Sequence, residues 1–241
     1  MKTGNPALNK NTFTDSYTQP GKGMTIDGTV NKCLLMIVLI FITAFYAWNN
    51  IPEAYRTIAL IASTILGLII ALVTIFVKKI SPYTTPIYVA VEGVVLGIIS
   101  GMMEQVYPGI ALQAVLLTFG VLFSLLLVYK AKIIEVTENF RLGIVAATGG
   151  IMLIYLLTFI LGFFGINIPY IHGAGPIGIG FSVVVVIIAA LNLVLDFDFI
   201  EKGAESNAPK YMEWYATFGL MVTLIWLYLE ILRLLAKIRS R

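Results

Sequence analysis

The stretch TIALIASTILGLIIALVTIFV, residues 57–77, decides the fold, because it holds no charged residue and is long enough to cross a bilayer. A helix rises about 1.5 Å per residue, so about 20 apolar residues span the hydrocarbon layer. Six further runs of the same kind flank it, at 33–49, 86–106, 109–129, 142–165, 175–195 and 214–238. Backbone N–H and C=O groups in lipid need partners inside the segment, and these runs lack the strict alternation of barrel strands. The expected fold is therefore all-α: a polytopic membrane protein built as a seven-transmembrane-helix bundle. Pro52, Pro82, Pro86, Pro108, Pro169, Pro176 and Pro209 fall in or beside the short links, where a residue that cannot continue the backbone ladder marks helix ends.

Composition agrees with that reading. The chain is 59% hydrophobic and 12% charged, with a mean hydropathy of +0.93, whereas a soluble domain carries about 25% charged residues. Its net charge of +3 does not mark a nucleic-acid binder, because the 16 basic residues lie singly or in pairs between apolar runs. Cys33 is the only cysteine, which excludes a disulfide framework and a paired-cysteine metal or redox site. His172, the only histidine, falls in an expected outer loop, so neither a histidine-ligated metal nor a Ser/His triad is expected. The chain is accordingly expected to be no enzyme and to hold no resident cofactor.

Residues 1–32 are polar, without hydrophobic period, and are expected to form a largely disordered arm ahead of a membrane domain over 33–241. The apolar run at Cys33 begins too late for a cleavable signal and is expected to be retained. With the N-terminus on the cytoplasmic side, eleven of the 16 basic residues collect inside and five outside, the arrangement that the positive-inside rule favours. Arg233, Lys237, Arg239 and Arg241 dissent, since a seventh crossing carries them outward; a re-entrant last segment is the alternative, and its length favours crossing. Gly93, Gly97 and Gly101 recur every four residues in the third run, a strip that lets a neighbouring helix approach closely. Trp48, Trp214 and Trp226 are expected as interface anchors.

Ionisable groups inside spans cost about 2.5–3.5 kcal/mol each on insertion scales, which makes them functional candidates. Lys78 and Lys79 end the second run, Glu92 lies early in the third, Asp196 and Asp198 close the sixth, and Glu213 opens the seventh; these form an expected inner cluster. Glu104, Glu230 and Arg233 form an outer layer. Carboxylates forced together share a proton, and the same oxygens suit a hard cation such as Ca²⁺, so protonation and cation occupancy oppose each other.

The end of the sixth run, Leu195-Asp196-Phe197-Asp198-Phe199-Ile200-Glu201-Lys202, and the seventh-run stretch Leu227-Tyr228-Leu229-Glu230-Ile231-Leu232-Arg233 resemble the transmembrane Bax-inhibitor-motif family. The arm Asn5-Pro6-Ala7-Leu8-Asn9 with Thr12-Phe13, and the stretch from Glu92 to Thr118, resemble its bacterial YccA-like branch. The resemblance covers nearly the whole chain. It implies a central last helix whose acid meets the aspartate of helix six, and a proton-sensitive calcium leak. It also implies, in some members, association with a membrane protease or with cell-death regulators, and a bacterial inner membrane as the location. Carried over, Asp196 matches the helix-six aspartate and Glu230 the acid of the last helix, the pair that would face calcium; Lys79 falls where some members place an arginine. Glu230 stands where aspartate is usual. Helix length alone places Glu213 nearer Asp196, so the motif and the spacing nominate different partners.

Two functions are expected from this reading. One is a cation leak, most simply for calcium, gated by H⁺ on buried carboxylates in the lipid bilayer. The other is a regulatory membrane protein that presents its arm to a membrane protease or other membrane complex and transports nothing.

Overall fold

A computed structural model describes residues 23–165 and 173–240. Seven long helices run in order: α1 (Ile26–Asn50), α2 (Glu53–Phe76), α3 (Ser81–Val106), α4 (Ile110–Lys130), α5 (Glu138–Phe163), α6 (Pro176–Glu205) and α7 (Met212–Arg239). All seven are long and apolar enough to cross a membrane, and no strand is formed among the described residues. The seven-helix expectation holds. Residues 1–22 and His172 lie outside the described residues.

Local sequence explains the helix ends. Thr25 caps α1 by accepting the Gly28 amide, and Thr137 caps α5 by accepting that of Phe140, which satisfies amides that the helix leaves open. Pro82 and Pro176 occupy first-turn positions of α3 and α6, where a missing N–H costs nothing. Between α3 and α4 the chain turns on Gly109, whose φ of 81° suits a residue without Cβ.

The helices outrun the apolar stretches, and this moves the candidate acids. α1 starts at Ile26, within the stretch expected as disordered arm. α3 starts at Ser81 rather than Pro86, so Glu92 lies about three turns inside it. α6 continues to Glu205, which places Asp196 and Asp198 about two turns or more from its end instead of at its close. α7 runs unbroken to Arg239, a crossing helix and not a re-entrant hairpin. Trp226 sits at the midpoint of that helix, too deep for an interface anchor.

Of the most apolar window of α7, 67% is buried, against 11% for α2. α7 is thus the central helix, packed on α1, α3, α4 and α6, while α2 rests mainly on α3 and turns Ile61, Ile65, Leu68 and Leu72 outward. Gly93 and Gly97 let α3 cross α1 closely: a Cβ on Gly97 would lie 2.2 Å from the Ala44 carbonyl oxygen. Gly101, the third of the strip, is in ordinary contact with Trp48.

Candidate functional site

The helix order sets two faces, a near face where α1, α3, α5 and α7 begin and a far face where they end. At the near face, Glu213 is fully buried and fully occupied. It accepts from Lys32 at 2.5 Å, from Lys210 at 2.7 Å, and from the Thr25 amide and hydroxyl at 2.9 and 2.8 Å. Gly28 makes room for it, since a Cβ there would stand 2.2 Å from Glu213 Oε1. The Met24 amide donates to the Ala208 carbonyl at 2.6 Å, so the chain entering α1 is fastened to the α6–α7 link. Glu213 is a fastening for the start of α1.

Asp198 is held in a second, separate cluster. Arg141 of α5, 2% exposed, donates to it at 2.6 Å, and Lys202 lies 2.7 Å away. Arg141 also reaches Glu138 at 3.3 Å. Arg141 begins a stripe of three residues spaced by seven along α5. Thr148 accepts from Asn192 of α6 at 2.9 Å, and the Tyr155 hydroxyl donates to Glu230 of α7 at 3.0 Å. Apolar side chains gain little by leaving lipid for protein, so such bonds, worth about 0.6–2 kcal/mol each, help to hold a peripheral helix in place.

Glu230 is 2% exposed and occupied at the far face, by Tyr155 and by Arg233, whose nitrogen is 3.0 Å from Oε1. Glu104, also toward that face, accepts from the amides of Gly109 at 2.5 Å and Ala111 at 3.1 Å and so closes the α3–α4 turn. Glu92 is partly buried against α2, with Gly67 opposite its carboxylate. Lys78 stacks over the Tyr215 ring at 5.8 Å, while Lys79 is exposed on the short 3-10 turn Lys78–Ile80. Neither lysine forms an ion pair with Glu92 in the described residues.

Asp196 differs from all of these. It is 2% exposed and lies beside Thr223 of α7, whose hydroxyl donates to the Gly219 carbonyl at 3.3 Å, and its oxygen Oδ2 has no hydrogen-bond partner. No cation pairs with it among the described residues. Cys33 of α1 lies within electrostatic reach and its thiol contacts the Thr217 hydroxyl at 3.6 Å. Glu213, Thr217 and Thr223 are all buried on α7, with the Thr217 hydroxyl donating to the Glu213 carbonyl and Thr223 beside Asp196.

This geometry corrects the pairing expected from sequence. Thr223 follows Glu213 by ten residues and precedes Glu230 by seven, so Asp196 stands about 15 Å along the helix from one acid and about 10 Å from the other. Neither Glu213 nor Glu230 meets it, and the pair nominated for calcium, Asp196 with Glu230, is not brought together. No three His, Cys, Asp or Glu side chains converge among the described residues. Thr223 and Tyr155 were missed because hydroxyls in apolar runs carry no distinguishing pattern. The spacing of Arg141, Thr148 and Tyr155 by seven marks one helix face and is the sequence signal for this stripe.

No curated protein matches the chain significantly. A family model does: the one described as Bax inhibitor 1 like aligns with residues 5–240, from the arm through the last turn of α7. This multi-pass helical membrane protein belongs to the Bax inhibitor 1 like family.

Proposed function

We propose that the protein is a proton-sensitive cation leak, with calcium as the cation carried and Asp196 as the group that protons and cations contest. The observation that carries this reading is the free Oδ2 of a carboxyl buried between α6 and α7. Leaving a polar atom unsatisfied in low dielectric costs about 1–3 kcal/mol, a cost that a structural hydrogen bond would have removed. Intramembrane acids of this kind mark ion and proton routes.

One carboxylate does not make a resident calcium site, which takes six to eight oxygens. Asp196 suits a transient stop for a partly hydrated ion, with the hydroxyls of Thr223 and Thr217 lining the approach. The ionised form attracts a cation and the protonated form does not, so passage falls as pH falls. The near face is cytoplasmic in this reading, in line with its excess of lysine and arginine, and the membrane is a bacterial inner membrane.

Calcium flux into liposomes holding the purified protein tests the reading. Wild type is expected to leak more at mildly alkaline than at mildly acidic pH, and Asp196→Asn to leak slowly at both. Absence of flux from folded protein would contradict it.

A specific observation favours a second reading. Gly23 pairs with Pro209 and the Met24 amide donates to Ala208, so the described chain enters α1 fastened to the α6–α7 link at the near face; in this reading residues 1–22 are the part that a membrane protease or another complex recognises. Deleting residues 1–22 is then expected to abolish co-purification of the partner while flux stays as in wild type. Retained co-purification would count against it.

A further inference from the structure

A cavity of about 340 Å³ lies between α1, α3, α4 and α7, away from Asp196. Its α1 wall runs from Ile37 to Trp48, about 16 Å along the helix axis and so along the membrane normal. Phe45 and Leu112 form its lips and are 73% and 64% exposed, which opens it to lipid between α1 and α4. The lining is apolar apart from few groups: the Ser100 and Tyr228 hydroxyls, which bond each other at 2.6 Å, Thr118, and Glu104. The shape and direction fit one acyl chain.

The far-face end carries both signs of charge. Glu104 lines the cavity there, and among the described residues its hydrogen-bond donors are the two amides of the α3–α4 turn. Arg239 projects over the same turn. It donates to the Pro108 carbonyl and to Gln113 Oε1, each at 2.7 Å, and is exposed. A guanidinium has five N–H donors, so several still point outward. Neither group has an oppositely charged partner among the described residues. A lone anion and a lone cation at the mouth of a chain-shaped groove complement a headgroup that carries both charges.

We infer that this cavity is a binding site for a phospholipid with a primary-amine headgroup, whose ammonium meets Glu104, whose phosphate meets Arg239 and whose acyl chain fills the groove. An ammonium that donates hydrogen bonds distinguishes this headgroup from a choline, which has no N–H, and from a glycerol, which has no positive charge. The site does not depend on whether the protein carries ions.

The test uses the full chain in detergent with Trp214→Phe and Trp226→Phe, so that Trp48, in the cavity wall, is the remaining tryptophan. Phosphatidylethanolamine with brominated acyl chains is expected to quench Trp48. Unlabelled phosphatidylethanolamine should displace it at about a tenfold lower concentration than phosphatidylcholine or phosphatidylglycerol with the same chains, the size of one charge-assisted contact. Glu104→Gln should remove that preference, Arg239→Gln should weaken all three lipids, and Val115→Phe, which narrows the groove, should abolish quenching. If Glu104→Gln does not fold, the Arg239 and Val115 variants and the headgroup ranking still decide. Equal displacement by the three lipids, or quenching unchanged by Val115→Phe, would overturn the site and leave ordinary lipid contact in its place.

Discussion

Gly97→Leu is expected to prevent α1 from seating on α3, because what it meets is backbone and not a side chain that can yield. A Cβ at Gly97 meets the Ala44 oxygen at 2.2 Å and the Ala44 backbone carbons at 2.9 Å. Overpacking costs about 1–3 kcal/mol where side chains can yield. Here the obstacle is backbone, so α1 has to withdraw along its length, and the loss is placed at about 3 kcal/mol or more. Withdrawal of α1 would also loosen Thr25 and Lys32 from Glu213, because all three contacts lie on the same rigid helix or its cap. Unfolding in mixed micelles reads the effect. Gly120→Ala and Gly149→Ala, at helical positions where a Cβ meets nothing within 4 Å, should not destabilise the protein, and helix propensity favours alanine there by up to about 1 kcal/mol.

The second large effect concerns the buried cation of α5. Asp198→Leu removes the acid that faces Arg141 and leaves a guanidinium, 2% exposed, with only the exposed Glu138 beside it. Breaking a buried pair from one side costs about 3–5 kcal/mol. Removing both partners in Asp198→Leu with Arg141→Met is expected to restore most of that loss, because no buried charge is then stranded. Stability of the two single variants and the double variant closes the cycle. Failure of the double variant to recover would mean that the pair itself, and not the stranded charge, holds α5.

The spans were legible because crossing a membrane is a property of composition and length, which a run such as 57–77 displays without context. The Gly93 and Gly97 strip was legible for a similar reason: spacing by four fixes one helix face whatever the neighbour is. Depth was less legible. Glu201 and Lys202 end the apolar pattern of α6 but not the helix, which continues to Glu205 and leaves Asp196 and Asp198 inside it. Partnership was not legible at all. Whether Asp196 meets Glu213, Glu230 or Thr223 depends on the relative height of two helices joined by a short link, and one residue of change in that link alters the answer. The family resemblance predicted an acid opposite Asp196; in this chain a threonine stands there, and Glu230 is taken by Arg233 and Tyr155.

If Asp196 titrates alone, the pH profile of calcium flux has one step, since two coupled carboxyls would give two. Measuring that profile in liposomes for wild type, Asp196→Asn, Glu213→Gln and Glu230→Gln is the most direct test. The expected result is a single step that vanishes in Asp196→Asn and persists in the two glutamate variants. A profile that survives Asp196→Asn, or that disappears with Glu230→Gln, would contradict the assignment of proton sensing to Asp196.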